Sequence, residues 1–194
     1  MAKEGLATHK KNARRAGRTL VLADESGFML QPTVRRTWAP KGKTPIHHSW
    51  DRHDRLSAIS AITVSPKRKR LGLHFDILDH NVKTDDFESF IVSLKRRVGG
   101  PITLVIDRHQ VHRSAAKRLK ARYGRGIVIE WLPAYAPELN PDEQVWNRAK
   151  HVDMANFIPD DVLALGRAAA ASFRNTQSQQ WLLRSFFKHA KLTL

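Results

Sequence analysis

Two stretches decide how this chain folds: Thr19-Leu-Val-Leu-Ala-Asp24 and Ile102-Thr-Leu-Val-Ile-Asp107. Each is a short apolar run rich in branched side chains and stopped by an aspartate. A strand with one wet face alternates polar and apolar residues; a run without alternation reads as a strand covered on both faces. Working outward, Leu56 to Val64 (LSAISAITV) and Leu71 to Leu78 (LGLHFDIL) alternate, and Ser65-Pro66-Lys-Arg-Lys-Arg70 joins them. They are expected to form an antiparallel hairpin with a charged tip. Thr84 to Val98 opens on a Thr cap and acids, spaces Phe87, Phe90, Ile91 and Leu94 helically, and closes on Lys95-Arg-Arg97 before Gly99-Gly100. Further helices are expected over 114–123, 140–151, 159–174 and 178–190, with a strand over 127–132. Strands alternating with helices mean an α/β fold.

The composition bounds the partner. Lys and Arg number 34 against 18 Asp and Glu, a net charge of +16, with a sequence pI near 10.8. Residues 1 to 20 carry six basic side chains against Glu4, and residues 35 to 70 carry ten against Asp51 and Asp54. Several separate basic runs in a folding chain point to a polyanion. Residues 1–18 are expected as a basic tail and 19–194 as one domain. No cysteine is present, which excludes disulfides and thiolate zinc sites. No apolar stretch approaches the ~20 residues that cross a bilayer, and the N-terminus lacks the apolar segment of a signal peptide. An intracellular protein without a membrane partner is expected.

In α/β sheets ligands gather at the carboxyl ends of strands, which is where Asp24 and Asp107 fall. A polar residue ending a strand at the surface is the commoner explanation for either alone, and the pair shifts that balance only modestly. The third acid, Glu143, lies in Leu132-Pro-Ala-Tyr-Ala-Pro-Glu-Leu-Asn-Pro-Asp-Glu-Gln-Val-Trp146. Asn140 suits an N-cap, Pro141 a first helical position and Glu143 the third, so a capping box explains Glu143 structurally.

Taken together, ADESGF (23–28), VIDRHQVHRS (105–114) and LPAYAPELNPDEQVW (132–146), with 35 residues between Asp107 and Glu143, resemble the DDE transposases of bacterial insertion sequences related to mariner elements. RRTWAPKGKTP (35–45) and SAISAITVSP (57–66) are similar to the same family. The resemblance implies a ribonuclease H-like mixed five-stranded sheet flanked by helices, and a metal-dependent enzyme that cleaves and transfers DNA strands. By motif position it implies Asp24, Asp107 and Glu143 as catalytic residues and metal ligands. Mg²⁺ is the implied cofactor, with Mn²⁺ able to substitute, since hard ions take oxygen ligands. His112 and Ser114 match polar positions after the second acid, and Arg108 stands where many relatives carry Asn.

The expected partner is double-stranded DNA, as element ends and target, met by Arg35, Arg36, Lys41, Lys43, Arg108, His112 and Arg113. Relatives usually carry an N-terminal helix-turn-helix region. Its absence here suggests a split-frame product, a truncated copy or a fragment, with an upstream helix-turn-helix partner. A homodimer is expected in the transposition complex, and a nucleoid-associated cytoplasmic location. Two alternatives stand beside activity: a catalytically silent DNA-binding remnant, and a structure-specific nuclease.

Other groups read as structural. Asp85 and Asp86 suit the first turn of a helix, and Asp76, Asp79 and Glu88 fall in the same acidic neighbourhood. His47-His48 and His109-x-x-His112 lack a thiolate partner for zinc. Trp38 either stacks on a base or partner or anchors its own loop. Trp146, Trp181, Leu182, Phe186 and Phe187 are expected in the core.

Overall fold

The computed structural model describes residues 13, 15–46, 48, 54–133 and 136–192. Strands β1 (Thr19–Met29), β2 (Arg55–Val64), β3 (Leu71–Leu78), β4 (Ile102–Ile106) and β5 (Ile127–Trp131) form one sheet in the order β3-β2-β1-β4-β5. β2 runs antiparallel to both β1 and β3, whereas β4 runs parallel to β1 and β5. The mixed five-stranded sheet of a ribonuclease H-like fold is therefore present, and the expected hairpin is β2–β3.

Alternation along β1 divides the core. Val21 and Ala23 face α1 (Thr84–Val98) and α2 (Gln110–Tyr123), meeting Phe87, Ile91, Ala115 and Leu119. Leu20 and Leu22 face the other way, toward α3 (Glu143–Arg148), the π-helical turn Ala149–Asp153, α4 (Val162–Ser178) and α5 (Gln180–His189). With helices on both faces, the central strands have no wet side, which is why they read as unbroken apolar runs.

Several boundaries differ from expectation. β1 does not stop at Asp24; it continues to Met29. Antiparallel pairing with β2 extends to Met29↔Arg55, while parallel pairing with β4 ends at Leu22↔Val105. One neighbour still satisfies the backbone after the other has ended, so the acids interrupt only one side of the strand. In α1 the cap is Lys83 rather than Thr84, and the Asp86 carboxylate accepts the Lys83 amide at 2.8 Å. α2 starts at Gln110, four residues before Ser114. The residues just before β1 are packed rather than trailing: Ala13 is buried in the core, and the Arg18 guanidinium donates to the carbonyls of Ile102 at 3.1 Å and Arg125 at 2.6 Å. Residues 1–12 lie outside the described residues.

The expected core of α5 is corrected at one position. Leu182, Leu183, Phe186 and Phe187 are buried, but Trp181 is 67% exposed because it falls on the solvent stripe of the helix. Trp146 is buried as expected. Trp38 is fully exposed and does not anchor its loop. The loop is instead rooted by backbone: Leu30 N–H donates to Asp54 O, Asn156 N–H to Thr33 O, and Arg35 N–H to the Asn156 side chain at 2.8 Å.

Behind α3 an aromatic cluster sets its position. Phe173 of α4 is fully buried, with ring centroids 5.8 Å from Trp146, 5.9 Å from Phe28 and 5.0 Å from Phe75. Trp146 lies one turn after Glu143, so this packing fixes the helix that carries the acid. Phe173→Ala is expected to destabilise the fold by about 3–5 kcal/mol, read as a lower midpoint in urea unfolding. A loss below about 1 kcal/mol would show that the cluster does not support α3.

Candidate active site

Because β4 ends at Ile106 and pairs with β1 only as far as Leu22, Asp107 and Asp24 both emerge where the parallel part of the sheet stops. Strand alternation then separates Asp24 from its neighbour Glu25, turning Asp24 toward the α3 side and Glu25 toward the α2 side. Asp24 Oδ1 accepts the Glu25 amide at 2.9 Å, and Oδ2 accepts the Asn140 side-chain amide at 3.0 Å. Asn140 in turn accepts the Asp142 amide at 3.2 Å, while its carbonyl accepts the Glu143 amide at 3.1 Å.

The expected capping box is therefore not formed. α3 begins at Glu143 with Asp142 at its cap, because the Asn140 side chain is committed to Asp24 and to the turn. Glu143 is left facing the acids. Asp142 is fully buried; one oxygen accepts the Ser60 hydroxyl at 2.7 Å, and the other has no hydrogen-bond partner.

On the opposite side His112 is fully buried between two carboxylates. Its Nδ1 meets Asp107 Oδ1 at 2.5 Å, and its Nε2 forms an ion pair with Glu25 Oε2. His109 adds its backbone amide to Asp107 Oδ1 at 2.9 Å and its ring to Glu25 Oε1 at 3.2 Å. The expectation that His112 meets DNA is corrected: its ring has no exposed surface. Arg35, Arg36, Lys41, Lys43, Arg108 and Arg113 are all exposed. The first four stand on the loop between β1 and β2, Arg108 directly follows the second acid, and Arg113 lies in the first turn of α2.

The electrostatics follow from crowding acids in a poorly hydrated place. Burial, then the charges of Glu25 and Glu143, push the Asp24 carboxyl up to about 7. Burial also raises Glu143, with Asp107 adding to it and Lys150 opposing, and holds Asp142 well above the carboxylate range. Asp107 goes the other way, held down by the His112 hydrogen bond. For His112 burial alone would favour the neutral ring, but the two carboxylates outweigh it and raise the imidazole to about 9. Lys150, lowered by burial, donates to Ser26 Oγ at 2.6 Å with its ammonium 5.0 Å from the Phe28 ring centre.

Among the described residues no three His, Asp or Glu side chains stand closely enough to hold one ion as they lie. The donor set nonetheless suits a hard divalent cation. It offers carboxylate oxygens only, feels an excess of negative charge, and leaves Asp107 Oδ2 free because Oδ1 takes both donors. Among the acids near α1, Asp86 caps its helix, and Asp85 and Glu88 pair with Arg118 of α2, in line with a structural reading. Of the histidine pairs weighed for zinc, His47 lies outside the described residues.

Four residues of the site escaped sequence reasoning: Glu25, Asn140 as a bridge, Asp142 and Lys150. Glu25 follows directly on Asp24, and a strand carried past Asp24 would have aimed it at the opposite face. Lys150 is seven residues after Glu143, two turns along one helical face. Asp142 carries no signal that separates it from a solvated loop acid.

A family model described as DDE superfamily endonuclease matches residues 19–160. Comparison with curated proteins found no match. Among solved structures, the chain is similar to a pre-cleavage Mos1 transpososome (13% identity, TM-score 0.65, covering 98% of this chain and 58% of that one). It is similar also to the Mos1 mariner paired end complex with Mn (13%, TM-score 0.63, 98% and 59%) and to the one with Mg (13%, TM-score 0.60, 98% and 60%). The chain thus spans about three-fifths of the length of these Mos1 chains, and at such identity the likeness carries the fold. Asp24, Asp107 and Glu143 all fall inside the matched residues, and the chain belongs to the DDE superfamily of endonucleases.

Proposed function

We propose that the chain is the catalytic domain of a DNA transposase, cleaving and transferring DNA strands with Asp24, Asp107 and Glu143 as ligands of divalent ions. The observation that carries this reading is geometric: Asp24 and Asp107 emerge where parallel pairing of β1 and β4 stops, and Asn140, three residues before Glu143, donates its side-chain amide to Asp24 at 3.0 Å. Mg²⁺ is the proposed ion and Mn²⁺ its substitute; the Mos1 complexes obtained with each support that choice. When bound, such ions supply the positive charge that stabilises attacking and leaving oxygens in phosphodiester displacement.

The chain's own residues do the rest. Asn140 holds Asp24 and the turn before Glu143 in register, and Lys150 offers a cation beside the acids for a phosphate oxygen. Exposed Arg35, Arg36, Lys41, Lys43, Arg108 and Arg113 bind the backbone of duplex DNA. Pairing two element ends calls for a homodimer, and sequence reading for an upstream helix-turn-helix. Among the described residues no helix is long and apolar enough to cross a membrane, and a nucleoid-associated cytoplasmic location is part of the proposal.

Asp107→Asn is expected to abolish cleavage of a labelled element end in Mg²⁺ while leaving DNA affinity unchanged or slightly higher, since a metal ligand and a charge repelling phosphate are lost together. Cleavage at the parental rate would remove Asp107 from the catalytic set.

Metal binding should also release protons. With Asp24 near 7 in the metal-free chain, a cation must displace its proton at pH 6 but finds it mostly ionised at pH 8. Calorimetric titration with Mg²⁺ in buffers of different ionisation enthalpy should record proton release that shrinks, and affinity that rises, between about pH 6 and 8. Binding independent of pH across that range would contradict the role of Asp24.

With Arg35, Arg36, Lys41, Lys43 and Arg108 on connecting segments and only Arg113 of the proposed contacts on a helix, the domain alone should bind duplex DNA with little sequence preference. If about six phosphates are neutralised, affinity should fall about a thousandfold between about 50 and 200 mM salt. A competition titration against a scrambled duplex checks both points; preference for the element end above about a thousandfold would show that the domain reads bases unaided.

A further inference from the structure

Glu25 and the buried His112, which stand in a row behind Asp107, are not used by the catalytic reading so far, and Glu25 cannot join the acids directly because strand alternation turns it to the other side of the sheet. Its carboxylate instead faces His112 and His109, both from the segment that follows Asp107. His112 is fully enclosed, with its ring 4.3 Å from that of Phe87, so the imidazole has no room to turn. Asp107 is different: its side chain is 53% exposed and sits on a short connection between β4 and α2. Left to itself, such a carboxylate would sample several rotamers. Two donors meet on one of its oxygens, His112 Nδ1 at 2.5 Å and the His109 amide at 2.9 Å, and the other oxygen stays available.

We infer that Glu25 and His112 are positioning residues that aim Asp107: Glu25 fixes the buried imidazole from β1, and the imidazole fixes Oδ1 so that Oδ2 is presented to a divalent ion. The inference rests on the proposed role of Asp107 as a metal ligand. A purely structural ion pair would serve only to tie the start of α2 to β1. It would alter melting of the metal-free chain without altering metal affinity. Hydrogen-bonded partners behind a metal ligand typically account for about 10–100-fold in affinity, and that is the signature to seek.

The experiment is calorimetric titration of the whole purified chain with Mn²⁺, without DNA and at one pH, alongside thermal melting of each metal-free variant. Glu25→Gln keeps the size of the partly exposed side chain and removes its charge, so it is the variant most certain to fold. It should weaken Mn²⁺ binding about tenfold, and His112→Ala by up to about a hundredfold. His112→Asn, which can still donate to Asp107, should recover part of the loss. The double variant Glu25→Gln/His112→Ala should bind no more weakly than His112→Ala, because both act through one row. Asp107→Asn serves as the reference and should lose Mn²⁺ binding. If Glu25→Gln and His112→Ala bind within about twofold of the parental chain while Asp107→Asn does not, the positioning role falls and the reading of Asp107 stands. If the Glu25 and His112 losses add fully in the double variant, Glu25 acts on the metal by itself and the inference is overturned. If Asp107→Asn binds Mn²⁺ like the parental chain, the ligand role and the inference fall together.

Discussion

Parallel pairing between β1 and β4 ends at Leu22↔Val105, while β1 runs on beside β2 for seven more residues. Most of the site depends on that unequal ending. It exposes the end of one strand against the flank of another, and places three acidic residues, Asp24, Glu25 and Asp107, where the sheet no longer covers itself. Period-two alternation then assigns each acid of β1 to a different side. Asp24 joins the loop before α3, and Glu25 joins α2. A single register thereby sets both the carboxylates proposed to hold metal and the row that backs one of them.

Such an arrangement works against the fold that holds it. Burying carboxylates near one another is unfavourable unless they are protonated, hydrogen-bonded or compensated by a cation, and the site uses all three means. Asp24 and Asp142 are pushed toward their neutral forms, Asn140 and Ser60 supply hydrogen bonds, and Lys150 and the charged His112 supply positive charge. The aromatic packing of Phe173, Trp146 and Phe28 gives the rigid backing against which this unfavourable cluster can be kept.

Much of this was legible in the sequence, for identifiable reasons. The two unbroken apolar strands announced a sheet covered on both faces, and the alternating pair announced the hairpin, because burial on one or two faces leaves different periods. Asp24, Asp107 and Glu143 could be picked out by motif. What escaped was set by tertiary contact. Asp24 looked like a strand terminator because pairing on one side only is invisible in a local window. Asn140 looked like a helix cap because its true partner is 116 residues away. His112 was expected among the DNA-contacting arginines, and the approach of β1 and of Phe87 from α1 to α2 encloses it. Trp181, adjacent to buried Leu182, shows the same limit at the scale of one helical position.

Anomalous diffraction from crystals of the chain grown with Mn²⁺ tests the central claim most directly. The account predicts manganese peaks within coordination distance, about 2.0–2.2 Å, of carboxylate oxygens from Asp24, Asp107 and Glu143, with the Glu143 helix and the Asp107 connection drawn together around them. Ordered manganese elsewhere on the chain, with these three side chains remaining apart, would contradict it.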